Sequence, residues 1–255
     1  MISECKLLKE CFMAAELTVT KEGPATLLTL NRPDRGNALN PALTEALIDA
    51  LGEATTDGTR IVVLQGAGKS LCSGFDLTNF DDLSDGDLVM RLLRIEAMLQ
   101  TLHHMSLPTL AFAHGRNFGA GADLFCACSQ RVAAPDAQFR MPGLAFGVVL
   151  GARRLLLRVG QDTARDIQNA GRTFSGDDAA HNNFASQAAV PEAWSDIETT
   201  AIADAGAISV AATAGLFRAT SIDTNASDMA DLAHSASVPG LSDRIRAYRD
   251  SFKRG

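Results

Sequence analysis

The chain has 255 residues, enough for one large domain or one domain with a small appendage. Hydrophobic residues at 46% and charged residues at 21% describe a core-forming globular protein, and aromatics at only 5% disfavour a Trp/Tyr-rich binding face. A net charge of −7 without any Lys/Arg block argues against nucleic acid or an anionic membrane as partner, although local cations and helix N-termini can still hold a small anionic ligand.

The first dozen residues mix charges with apolar side chains and lack a small-residue cleavage site, so they are read as an extension, 1–12, and not as a signal peptide. Leu17–Val19 and Thr26–Leu30 flank Glu22-Gly23-Pro24 and predict a β-hairpin. Asn40 followed by Pro41 is a cap-and-first-turn signal, and the helix after it carries Leu43, Ala46, Leu47, Ala50, Leu51 and Ala54 on one stripe. Ile61–Leu64 reads as a strand covered on both faces, followed by the glycine-bearing loop GAGKSLCSGFDL. Gly86–Met105 has helical spacing of Leu88, Leu92, Ile95, Leu99 and Leu102. Strand and helix then alternate through Leu110–Ala113, Ala122–Cys128, Arg131–Ala134 and Gln138–Met141, and the pattern after Gly151 is helical to the end. This predicts an α/β core over 13–150, a mainly parallel sheet, and a helical segment over 151–255. Cys5, Cys11, Cys72, Cys126 and Cys128 lack metal-ligand spacing and predict reduced thiols, hence a cytoplasmic protein.

The stretch Leu107–Gly151 concentrates the chemistry. An apolar strand, a turn with Gly115 and Gly119-Ala120-Gly121, and a small-residue helix together place free N–H groups at a helix N-terminus, where a developing oxyanion is stabilised. Asp123 lies one short step into that helix. It is either a proton-transfer group or a carboxylate held by the helix dipole. The dipole lowers its pKa and burial raises it.

LTLNRPDRGNALN, VVLQGAGKSLCSGFDL and FGAGADLFCACSQRVAAPDAQFRMPGLAFG, in that order, resemble the crotonase (enoyl-CoA hydratase/isomerase) superfamily over about residues 17–180. The resemblance implies a spiral of ββα units with a helical C-terminal segment used in trimerisation. It also implies a homotrimer or dimer of trimers and an acyl-CoA thioester of fatty-acid type as ligand. Coenzyme A arrives as part of the substrate, with no further cofactor and no metal.

Carried over by motif, the two oxyanion donors are the backbone N–H groups of Phe75 and Ala120. Arg35, Ala38 and Leu39 fall where the family lays the adenine and phosphate end of coenzyme A. Ser73, Asp76, Leu77, Gly119, Arg140 and Gly143 complete the expected substrate surroundings. Asp76 is expected to fix its loop, and His114 to serve as a structural hydrogen-bonding residue.

Family hydratases carry one Glu where this chain has Asp123 and a second where it has Gly143. The chain is also about three residues shorter around Leu150–Arg154, and no acid occupies the alternative position near Leu150. One acid suits isomerisation, decarboxylation or C–C cleavage better than two-Glu hydration. The alternatives are a non-catalytic acyl-CoA binder and a C–C hydrolase acting on a non-CoA diketone. Arg116 and Arg140 flank the expected pocket, as holders of a carboxylate or as surface ion pairs. Phe75, Phe118, Leu144, Phe146 and Val149 are acyl-pocket or core residues. The C-terminal apolar positions Ile208, Ala211, Ala212, Leu216 and Phe217 support oligomerisation weakly.

Overall fold

The computed structural model describes residues 15–251, so the 1–12 extension, Cys5 and Cys11 lie outside it. The hairpin forms as β1 (Leu17–Glu22) and β2 (Ala25–Leu30), antiparallel across a two-residue Gly23-Pro24 turn with Glu22 opposite Ala25. Asn40 caps α1 (Pro41–Ala54) by accepting the Leu43 N–H at 2.8 Å, and the stripe expected from the sequence is buried apart from half-buried Ala46. β3 (Ile61–Gly66) pairs parallel with β2 and buries four consecutive apolar side chains, as a strand covered on both faces must.

Ser84 and Asp87 form a reciprocal capping box at the start of α2 (Asp85–His103). β4 (Thr109–Ala113) is buried throughout. It is followed by β5 (Arg116–Phe118), α3 (Ala120–Ala127), β6 (Gln130–Ala133) and β7 (Gln138–Arg140). Helix α3 therefore begins two residues earlier than the sequence suggests, directly at Ala120.

The C-terminal part is not helical throughout. Between α4 (Ala152–Val159), α5 (Gln161–Ala170) and α6 (Gly176–His181) it inserts β8 (Phe174–Ser175), and after α6 it adds β9 (Gln187–Ala188). Each strand is two residues long, too short for a period-two pattern to register. Both are structural nonetheless. β9 closes the six-stranded sheet β1-β2-β3-β4-β6-β9, and β8 completes the three-stranded sheet β5-β7-β8. Helices α7 (Trp194–Ala207), α8 (Val210–Thr220), α9 (Asn225–Ala236) and α10 (Leu241–Ser251) follow.

The main core joins the inner face of α1 to the sheet, α2 and the wholly buried α3. A smaller cluster packs Leu88 and Leu92 of α2 against Leu232 of α9 and Leu241 and Ile245 of α10. Helix α10 thereby closes one side of the cavity described next, through Ile245, Tyr248 and Arg249. Among the described residues no single helix is long and apolar enough to cross a membrane.

Candidate active site

Two loops from distant parts of the chain meet at one point. In the first, Leu39 donates to the Gly74 carbonyl at 2.7 Å and Asp76 donates to the Leu39 carbonyl at 3.2 Å, an isolated parallel bridge centred on Phe75. Strand geometry then turns the Phe75 N–H away from Leu39. Among the described residues it has no acceptor. In the second loop Ala120 is the first residue of α3, so its N–H is one of the orphan donors of a helix N-terminus. The loops touch: a Cβ at Gly74 would lie 2.2 Å from the Phe118 carbonyl oxygen and 3.5 Å from the Ala120 nitrogen, and the φ of +99° also demands glycine there. Gly119 is tied to the small sheet through its N–H, donated to the Arg140 carbonyl at 2.7 Å.

Phe75, Ala120 and Asp123 all line one cavity of about 420 Å³. Its walls are largely apolar, with Phe118, Leu144, Phe146 and Val149 among them, so these four expected residues face open space. Ser73, Leu77, Gly119, Arg140 and Gly143 line it too.

Arg35, Ala38 and Leu39 do not line the cavity. They belong to the neighbouring loop, where Arg35 is solvent-exposed 3.8 Å from Asp34 and its carbonyl accepts from Ser73 Oγ. Asp76 is buried, accepts the Thr78 N–H at 2.8 Å and pairs with Arg32 at 2.8 Å, which rivets the two loops together. His114 sits 2.9 Å from the Gly68 carbonyl through Nε2.

Asp123 is the unusual group. Its side chain is buried and takes no hydrogen bond or ion pair among the described residues. Burial pushes the carboxyl from 3.8 up to about 8; the Arg154 guanidinium opposes the rise and the Glu96 carboxylate adds to it. Desolvation therefore outweighs the nearby Arg154 charge. Arg154 gives Asp123 little relief because its two Nη groups already donate to Glu96 at 2.8 and 2.6 Å, in a pair that is almost fully buried.

Gly151 supplies the space. A Cβ there would lie 1.9 Å from Asp123 Oδ1, and its φ of +66° lies in the left-handed region. The carboxyl thus rests against a bare Cα.

The position of the missing second acid is closed by backbone. A Cβ at Gly143 would lie 2.6 Å from the Val148 carbonyl oxygen, and the Val148 N–H donates back to the Gly143 carbonyl at 2.9 Å. The turn is built for glycine. Sequence reading named neither Gly151 as a seat for Asp123 nor Glu96 and Arg154 beneath it. A Glu inside the apolar stripe of α2 and an Arg in the first turn of α4 were the available signals. Among the described residues no three His, Cys, Asp or Glu side chains gather to hold a metal.

Fold and site together define an α/β protein in which Phe75, Ala120 and the buried carboxyl of Asp123 line one largely apolar cavity. The family model described as enoyl-CoA hydratase/isomerase matches residues 20–231, and the chain belongs to that family, within the crotonase superfamily. It is 42% identical to a Bordetella parapertussis protein described as an enoyl-CoA hydratase/isomerase, whose crystal structure superposes with a TM-score of 0.90 over 92% of this chain and 98% of that one. It is 31% identical over 195 residues, 72% of this chain and 76% of the relative, to a Mycobacterium leprae protein named as an enoyl-CoA hydratase, echA6. It is 32% identical over 170 residues to the 2,3-dehydroadipyl-CoA hydratase of Escherichia coli, covering 65% of this chain and 66% of that one.

Proposed function

We propose that this chain catalyses proton transfer at the α carbon of an acyl-CoA thioester, through an enolate held by the Phe75 and Ala120 N–H groups. The observation that supports this reading is the gathering of both donors and the buried Asp123 carboxyl on one cavity. As the thioester oxygen gains charge, each donor contributes stabilisation that the ground-state carbonyl does not fully use, typically about 3 kcal/mol per donor. Coenzyme A belongs to the substrate, and the thioester is itself the electron sink.

Asp123 is mostly protonated at pH 7, because burial holds its pKa at about 8. It is therefore a donor first. Protonating an enolate formed by decarboxylation or C–C cleavage needs only that one acid. A double-bond shift uses the same carboxyl twice, starting from its ionised fraction of roughly one tenth at pH 7. Hydration needs a further group to activate water, and the backbone at Gly143 leaves no room for one.

The names of the relatives favour a second reading, hydration of an enoyl-CoA with Asp123 acting alone. A C–C hydrolase on a non-CoA diketone and a non-catalytic binder are the further rivals. The reading includes a homotrimer or dimer of trimers, supported by the face of α8 that leaves Val210 and Leu216 exposed. It also includes a cytoplasmic setting, supported by the buried free thiols of Cys72, Cys126 and Cys128.

The test is incubation with 3-butenoyl-CoA and crotonyl-CoA in D2O, followed by mass spectrometry. Deuterium at the α carbon, lost in D123N, is expected. Hydrated product without exchange into unreacted substrate supports the second reading, and binding without either supports the non-catalytic rival.

A further inference from the structure

Three ionisable side chains are buried where α3 packs against α2 and α4. They are Asp123 of α3, Glu96 of α2 and Arg154 of α4, each at most 3% exposed. One cation is thus shared between two acids, and the geometry shows which of them holds it. Both Nη groups of Arg154 donate to Glu96, at 2.8 and 2.6 Å, in the two-pronged arrangement that fits a carboxylate. Gln100, one turn further along α2, donates to Glu96 Oε1 at 2.8 Å and to the Asn225 carbonyl at 3.0 Å.

Asp123 is left out although it is near. A Cβ on Gly151 would lie 1.9 Å from Asp123 Oδ1 and 3.7 Å from Arg154 Nη2, so those two atoms are no further apart than these distances together. Neither a hydrogen bond nor an ion pair joins them, since Arg154 is turned to Glu96. The guanidinium even has a donor to spare, because its Nε is buried without a partner. A shift of about 3 Å or less would bring Nη2 to hydrogen-bond distance of Asp123.

The other titratable groups nearby are engaged elsewhere or uncharged. Cys126, on the same helix as Asp123, is a thiol that burial pushes up. Asp228 of α9 pairs with Arg153 at 2.9 Å, and Arg153 also holds Asp231 at 2.7 Å. His103 of α2 faces the Ala127 carbonyl and is kept neutral by burial, with its pKa pushed down to about 4. Arg158 of α4 donates to the Cys126 and Cys128 carbonyls. The charges that bear on Asp123 are those of Arg154 and Glu96, in opposite directions; Arg116, Arg140 and Arg249, which also line the cavity, are not among them.

We propose that Glu96 is a positioning residue: its grip on Arg154 withholds that cation from Asp123 and so keeps Asp123 an acid. What the acid then does rests on the acyl-CoA reading above. With Arg154 already neutralised by Glu96, ionising Asp123 would add an unpaired anion to a buried cluster. A released guanidinium would instead pair with Asp123 and leave it ionised, a base at the outset. Glu96 thus decides which half of a proton transfer the carboxyl can perform first. The raised pKa of Asp123, about 8, agrees with this arrangement.

The test replaces Glu96 by glutamine, which keeps the shape and removes the charge. Difference infrared spectroscopy of the full-length protein follows the protonated-carboxyl stretch of Asp123 from about pH 5.5 to 9.5, a range in which ordinary carboxyl groups are ionised. The matching protein carrying D123N is the blank. In E96Q the midpoint is expected at least about one pH unit below that of wild type, because the freed Arg154 pairs with Asp123. E96Q/R154Q removes the cation as well and is expected to return the midpoint to within about half a unit of wild type. R154K keeps the charge but loses the fork that fits Glu96, and is expected to lower the midpoint by about half a unit or more. Exchange of the α protons of 3-butenoyl-CoA in D2O needs the ionised carboxyl, so its pH midpoint is expected to move with the infrared one.

Equal infrared midpoints in wild type and E96Q overturn the proposal. So does a shift that persists in E96Q/R154Q, since Arg154 would then not carry it. Should E96Q fail to fold by circular dichroism, an R154K midpoint equal to that of wild type overturns it in the same way. A shifted infrared midpoint without α-proton exchange in either protein leaves Glu96 in its role and removes the acyl-CoA reading.

Discussion

Replacing Asp123 with asparagine isolates the energetic consequence of burying that carboxyl. In the unfolded chain the group titrates near 3.8, and in the folded protein at about 8. Between these values the native state holds a proton that the unfolded state has lost. Stability from this group is thus complete below pH 3.8, falls as pH rises, and levels off above about pH 8. The slope in that window is about 1.4 kcal/mol per pH unit, and the span gives an upper bound on the order of 5 kcal/mol. Asparagine nearly matches the acid in shape and cannot ionise. Urea unfolding of wild type and D123N at fixed protein concentration, from pH 5 to 8.5, cancels every other titrating group in the difference. The stability advantage of D123N should grow with pH through this range. Parallel profiles would show that the carboxyl ionises as it does in water, and the account of a protonated Asp123 at neutral pH would be wrong.

Gly151→Ala places a methyl group where Asp123 Oδ1 now lies and forces an L residue to φ +66°. It should cost about 1–3 kcal/mol in thermal unfolding and lower α-proton exchange at least about tenfold, whereas wild-type exchange would separate Gly151 from Asp123. Gly143→Glu does not restore a two-acid hydratase, because even its Cβ meets the Val148 carbonyl at 2.6 Å. Destabilisation of about 1–3 kcal/mol with no gain in crotonyl-CoA hydration is expected, and a gain of hydration would refute the closed-turn argument. Light scattering should give a trimer or hexamer at micromolar concentration, reduced by L216E on the exposed apolar face of α8. A monomer would remove that surface from the account.

Much of the site was legible because backbone chemistry leaves a composition signature. Gly74 and Gly119-Ala120-Gly121 announce close approach of main chain, and Phe75 and Ala120, the donors of the proposed mechanism, line the cavity from their place beside those glycines. α1 was legible for a similar reason, since Asn40, Pro41 and the apolar stripe all point to one helix. What the sequence hid depends on distance in three dimensions. Nothing local links Asp123 to Gly151, or Glu96 to Arg154, and the balance of dipole against burial needs the packed neighbours of the carboxyl. β8 and β9 escaped because two-residue strands are defined by their partners and carry no pattern of their own. Gly143 reads in sequence as a lost acid. In the folded chain it is a turn that admits no side chain at all.

The most direct test is a crystal structure of D123N with crotonyl-CoA bound. The account predicts the thioester oxygen within about 2.7–3.1 Å of both the Phe75 and Ala120 nitrogens, with the side-chain amide that replaces the Asp123 carboxyl facing the α carbon. A thioester oxygen that touches neither backbone amide, or an α carbon remote from that side chain, would contradict it.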